Sequence, residues 1–300
     1  MPTEQNMNLK CDVQYGKADM GFRLTRVGVT GVRKPIIVKR KGVNNELNRA
    51  LNCSIDIFVD LPAEQKGSHM SRNVAVLTDV VLESISKPVA GLETVAADMC
   101  KRLLVHHEYA QVTGVYITTN YFKPNITPNG RETYEVYKLI AKATAVRGEG
   151  VRKTIGAEVI GMTACPCAQQ TVTEIMECVG GSPVISHNQR NICTVTVTTG
   201  EEEEVEADTL IDLVEASFSS PTYELLKRED EGMVVINAHK NPKFVEDVVR
   251  GVLKRMVENY PELPDDAEIM VRSESEESIH KHNAFAQREA TMGELKEEAE

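Results

Sequence analysis

Long apolar runs are missing from this chain: no stretch of about 18 consecutive apolar residues occurs, which excludes a membrane-spanning helix. Met1–Lys10 is polar, without a charged stub leading into an apolar segment, so a cytoplasmic protein is expected. A positive charge balance is missing as well. Lys and Arg number 34 against 45 Asp and Glu, a net −11, which opposes nonspecific attraction to nucleic acid or anionic lipid, and neither is expected as a partner. A polyphosphate substrate would need basic residues concentrated locally. Nor is there an even, compact set of cysteines. The seven (Cys11, Cys53, Cys100, Cys165, Cys167, Cys178, Cys193) are scattered through 300 residues, which argues against a disulfide framework. Any special cysteine is better read as a ligand or nucleophile. A Walker phosphate loop, G-x-x-x-x-G-K-[ST], is absent.

What remains is ordinary globular material, 41% apolar, long enough for one large domain or two of usual size. Strand-like stretches mix β-branched residues with polar alternation at Phe22–Val32, Ser54–Leu61, Val112–Phe122, Tyr134–Arg147, Thr154–Met162, Ile192–Thr199, Met233–Ala238 and Glu268–Ser273. Helical patterns cover Ser71–Ser86 and Gly91–His106, divided at Pro88, then Ala168–Cys178, Asp208–Ala216 and Asn241–Tyr260. In the last of these Asn241 reads as the N-cap with Pro242 at the first helical position. Its apolar stripe is Phe244, Val245, Val248, Val249, Val252, Leu253 and Met256.

The order strand pair, helix pair, strand pair thus occurs about twice around a Gly148-Glu149-Gly150 joint. It predicts an α+β fold of antiparallel sheets in two units, 1–149 and 150–300, although the halves share no sequence repeat. The acidic runs Glu201–Glu204 and Glu274–Glu300 read as solvated loops or tails.

Several clusters stand out chemically. Cys165-Pro166-Cys167 lies between a strand and a helix start, where the positive end of the helix dipole favours a thiolate and a metal bond; a redox pair or two buried thiols are the alternatives. His187 sits in a polar loop, Ser186–Arg190, after the turn residues Gly180–Pro183. His280-Lys281-His282 places two imidazoles on one side of an extended chain. Pro221–Glu231 crowds both charge signs into a short segment, and Glu246 is a carboxylate early on an apolar helix. Lys66–Arg72 combines a small-residue turn, two hydroxyls, two cations and an imidazole before a helix, which suits an anion, although Ser71 acting as a plain helix cap is the alternative.

These motifs, with Asp12-Val13-Gln14, Arg26–Thr30, Asp56–Leu61 and Glu277–Ala284, resemble in order the metal-dependent GTP cyclohydrolases of the type IB family, more closely its archaeal, methanopterin-pathway branch. The resemblance implies the tunnelling fold, assembly into a homodimer or larger homo-oligomer with interfacial active sites, and GTP as substrate. It carries metal-ligand roles to Cys165, His187, Glu231 and either His280 or His282, and ring anchoring to Glu246, whose two oxygens can accept parallel hydrogen bonds from the guanine edge. His282 or Cys167 would move protons, while Lys66, His69, Ser71, Arg72, Arg190, Lys227 and Arg228 would neutralise the triphosphate. Ala168 departs from the serine usual after the second cysteine in bacterial members.

One divalent ion per subunit is implied, Fe²⁺ first with Zn²⁺ or Mn²⁺ as alternatives. The implied reaction opens the guanine imidazole ring with metal-activated water and releases formate. Its expected product is 7,8-dihydroneopterin 2′,3′-cyclic phosphate. Dihydroneopterin triphosphate, or a non-catalytic purine- or pterin-binding protein of the same fold, is the alternative.

Overall fold

The computed structural model describes residues 12–41, 46–176 and 185–299. Cys11, Cys178 and the Gly180–Pro183 turn lie outside the described residues. The fold is α+β, with antiparallel strand pairing and seven α-helices among the described residues. Two compact units are formed, Met1–Ile117 with Lys142–Val151, and Thr118–Ala141 with Arg152–Glu300.

In the first unit, strands β1 (Leu24–Lys41) and β2 (Glu46–Leu61) pair antiparallel. Alternate β2 residues Cys53, Ile55, Ile57, Val59 and Leu61 are buried, as a half-buried strand of period two requires. The β1 irregularity between Val29 and Val32 contains Gly31 at φ +68, whose N–H donates to Asp56 Oδ1 at 2.7 Å. Helices α1 (Met70–Ser86) and α2 (Leu92–His106) form where the periodicity places them, and Pro88 falls between them. They bury Val76, Leu77, Val80 and Val95, Met99, Leu103 respectively. The long strands β3 (Val112–Ile126) and β4 (Glu132–Val146) contribute their open ends to this unit and their turn end to the other.

In the second unit, β5 (Gly150–Ala164), β6 (Asn188–Thr199), β8 (Glu268–Ser275) and β9 (Ala284–Thr291) pair in that order, and the two-residue β7 (Ser220–Pro221) adds to β5. Helices α3 (Pro166–Met176), α4 (Ala207–Glu215), α5 (Arg228–Lys240), α6 (Val245–Asn259) and α7 (Met292–Ala299) complete it. The α6 stripe buries Val245, Val248, Val249, Val252 and Met256, while Phe244 is left exposed at the N-cap. Met256 is fully buried, so Met256→Ala is expected to lower the unfolding free energy by about 3 kcal/mol in urea titrations. A loss under about 1 kcal/mol would show that this stripe is not close-packed.

Three expectations are corrected. Met233–Ala238 is not a strand but the body of α5. Its β-branched Val234, Val235 and Ile236 lose at most about 0.7 kcal/mol each in helix propensity. Against that, Asp230 Oδ2 accepts the Lys227 N–H at 3.1 Å and the buried residues Asp230, Val234 and Ala238 recur every fourth position. Asn241 is not the N-cap of α6. It terminates α5, and its Nδ2 donates to Phe218 O at 3.1 Å; α6 restarts after Phe244, whose N–H donates to Asp247 Oδ2 at 3.0 Å. The acidic C-terminal run is not a free tail either. It contains β9 and α7, anchored by buried Met292 and Leu295 while Glu289, Glu294, Glu297 and Glu298 of these two elements face outward. Glu201–Glu204 is a loop, as read. None of the five described cysteines forms a disulfide. Among the described residues no helix is long and apolar enough to cross a membrane.

Candidate active site

β5 runs out at Ala164, and Pro166, which has no N–H to leave unpaired, opens α3 immediately after Cys165. The Cys165 sulfur accepts the Ala168 N–H at 3.4 Å, so it sits over the first turn of that helix. The segment before β6 is laced to it: the Cys165 N–H donates to His187 O at 3.1 Å and Ser186 Oγ to Cys165 O at 2.6 Å. His239, in the last turn of α5, places Nε2 3.1 Å from Ser186 O, and Gln169 Nε2 donates to His239 O at 2.8 Å. Cys165 and His187 are thereby held by three elements.

His187 Nδ1 lies 2.9 Å from Gln189 Oε1 and 3.8 Å from Glu277 Oε2. Glu277 is brought in by the Glu276 N–H, which donates to Arg190 O at 2.9 Å just past the end of β8. Its side chain is 9% exposed, and Oε2 is buried without a hydrogen-bond partner. His280 and His282 follow in the connection to β9, stacked with ring centroids 5.0 Å apart; the two rings lie together as expected, although the chain there bends and is not extended. Cys165, His187, Glu246, Glu277, His280 and His282 line one cavity of about 260 Å³. Among the described residues no three His, Cys, Asp or Glu side chains stand close enough, as placed, to share an ion.

The family described as type I GTP cyclohydrolase folE2 matches residues 11–286. The chain belongs to that family. GTP cyclohydrolase MptA 1 of Methanocella arvoryzae is 45% identical over 96% of this chain and 95% of its own length. GTP cyclohydrolase MptA of Methanothermobacter thermautotrophicus is 41% identical over 98% of both. A highly active mutant of urate oxidase from Bacillus sp. TB-90 superposes with a TM-score of 0.50 at 11% identity, covering 89% of this chain and 100% of that one. Urate oxidase is a tunnelling-fold family, and the GTP cyclohydrolase chain shares that fold.

The other sequence candidates of this GTP cyclohydrolase lie outside the cavity. Glu231 is exposed in the first turn of α5, beside exposed Lys227 and Arg228. Arg190 is exposed one residue after inward-facing Gln189, so the pleat turns it to the other face of β6. Cys167 is exposed on α3.

The Lys66–Arg72 group belongs to the first unit. Lys66 Nζ pairs with Asp19 at 3.1 Å, His69 Nε2 with Asp12 at 2.8 Å, and Arg72 Nη1 donates to His106 O at 2.9 Å. Ser71 is exposed and does not cap α1, which starts at Met70.

Behind these, buried His107 places Nδ1 2.8 Å from Tyr109 Oη and Nε2 2.7 Å from Asn73 Oδ1. Burial, with the nearby Arg72 charge, pushes its imidazole down to about 4. The unfolded chain therefore binds this proton more readily than the folded one, and stability is lost as pH falls from about 6.5 toward 4. Urea unfolding is expected to show about 2 to 3 kcal/mol less of this loss in His107→Gln than in the wild type between pH 7 and 4. Equal slopes in the two proteins would remove His107 as the cause.

Glu277 and Gln189 were missed in the sequence. Glu277 lies in the motif Glu277–Ala284 but in an acidic run that reads as solvated, and Gln189 carries no charge to draw attention. Their only sequence signal is position, three residues before His280 and two after His187.

Proposed function

We propose that this chain is a metal-dependent GTP cyclohydrolase of methanopterin synthesis, converting GTP and water to 7,8-dihydroneopterin 2′,3′-cyclic phosphate, formate and diphosphate in the cytoplasm. The observation that supports the reading is that one cavity is lined by a soft sulfur donor, three imidazoles and a carboxylate with a buried, unpartnered oxygen, beside Glu246. This mixed S/N/O set fits Fe²⁺, with Zn²⁺ or Mn²⁺ as alternatives. The holding residues would be Cys165, His187 and one of His280 or His282, with a carboxylate. Glu277 lines the cavity, whereas Glu231 would have to be carried in by movement of α5. The ion when bound supplies a water that ionises near pH 7.

The chain's own groups do the rest. Glu246 accepts the paired N–H groups of the guanine edge and fixes the ring in the cavity. His280 or His282, whichever does not bind the ion, is exposed at the cavity and carries protons between the opening ring and solvent; Cys167 is the alternative carrier. A cavity of about 260 Å³ lies just under the roughly 300–1,000 Å³ of ligand pockets, which suits the base and leaves the triphosphate outside. Arg190, Lys227 and Arg228, with Lys66, His69, Ser71 and Arg72, are the cations and donors proposed to meet it, drawn from more than one copy in a homo-oligomer.

The test is anaerobic incubation with GTP and Fe²⁺, Mn²⁺ or Zn²⁺ separately, reading formate, pterin fluorescence after oxidation, and the phosphorus spectrum of the product. Formate with a cyclic phosphate ester is expected. A triphosphate product would overturn the product assignment, and no formate with any of the three ions would overturn the enzymatic reading.

A further inference from the structure

We propose that Gln189 is a positioning residue that dictates which nitrogen of His187 is free to bind the ion, an inference that rests on the metal-dependent reading above. Gln189 sits on β6 directly opposite Thr163 of β5 and is 9% exposed. Its amide reaches three groups. Nε2 lies 3.2 Å from Thr163 Oγ1 and 3.4 Å from Glu277 Oε1, and Oε1 lies 2.9 Å from His187 Nδ1.

The orientation of this amide follows from its neighbours. Its NH₂ donates to both Thr163 Oγ1 and Glu277 Oε1, which leaves the amide oxygen facing His187. That oxygen only accepts, so His187 Nδ1 must carry the proton. The second group near Nδ1, Glu277 Oε2 at 3.8 Å, is another acceptor and favours the same form. A neutral imidazole holds one N–H, which leaves Nε2 with its lone pair bare.

The amide cannot easily turn over. Thr163 Oγ1 is itself 3.3 Å from Ser275 Oγ, which accepts from Asn191 Nδ2 at 2.7 Å, and Asn191 Oδ1 accepts from Ser273 Oγ at 2.8 Å. This polar seam crosses β5, β6 and β8 in fully buried surroundings, where an unpaired group costs about 1–3 kcal/mol. Gln189 thus transmits the register of three strands to one imidazole tautomer.

The experiment pairs long-range ¹H–¹⁵N spectra of the histidine rings in the metal-free chain, at about pH 8 where imidazole is neutral, with zinc affinity by competition. The wild type and Gln189→Leu are compared, and a His187→Gln sample assigns the signal. Expected are an Nδ1–H tautomer for His187 in the wild type and its loss in Q189L. Zinc affinity in Q189L is expected to fall about 10- to 100-fold. A wild-type proton on Nε2, or zinc affinity in Q189L equal to wild type, overturns the proposal and leaves the metal reading standing. No zinc uptake by the wild type overturns both. The wild-type spectrum decides the tautomer even if Q189L does not fold.

Discussion

Cys165→Ala is expected to abolish GTP turnover while leaving the fold intact. The sulfur is half-buried and accepts one bond, 3.4 Å from the Ala168 N–H, so its removal opens no core cavity and strands no buried charge. The ion, by contrast, would lose the one soft donor among the described residues that line the cavity. Losing about 4 kcal/mol of transition-state stabilisation corresponds to roughly a 10³-fold drop in turnover. Metal content by elemental analysis and the thermal midpoint by circular dichroism complete the measurement. Turnover near the wild-type rate would take Cys165 out of the proposed centre.

Glu246→Gln is the second large effect, and it separates ring anchoring from ion binding. The wild-type carboxylate offers two acceptors at the cavity wall from the first turn of α6; the amide turns one of them into a donor aimed at a donor. A drop of about 100-fold in kcat/KM is expected, roughly 3 kcal/mol, with metal content unchanged. Because Glu246 is exposed, urea stability should stay within about 0.5 kcal/mol of wild type. A variant with unaltered kcat/KM would place the base elsewhere, and one that also lost its metal would show that Glu246 acts on the ion and not on the ring.

Part of this site was legible from local pattern alone. The His280-Lys281-His282 spacing needs only a short stretch of chain to put two rings together, and the rings do stack. Cys165 was legible because Pro166 marks a helix start, and the helix is there. Where competing local signals met, the reading went wrong. Val234, Val235 and Ile236 favour a strand in isolation, but the Asp230 cap and the turn chemistry at Asn241-Pro242 bound a helix on both sides. Glu277 looked like one more solvated acid in an acidic run. Its burial depends on the pairing of β6 with β8, which brings Glu276 to Arg190, 86 positions earlier in the chain.

The α+β class and most of the helices and strands were written in local pattern, in periodicity and helix punctuation that act over a few residues. The family, and Cys165, His187, Glu246 and the histidine pair as candidates, came from the resemblance of motifs spread along the chain, and these residues line one cavity. Only the tertiary structure decided that Glu277 is buried with an unpartnered oxygen, that Glu231 lies outside the cavity, and that Gln189 faces His187 with an acceptor. Burial and hydrogen-bond direction are set by which strands pair and in which register, and that pairing joins residues too far apart in the chain for any local pattern to record it.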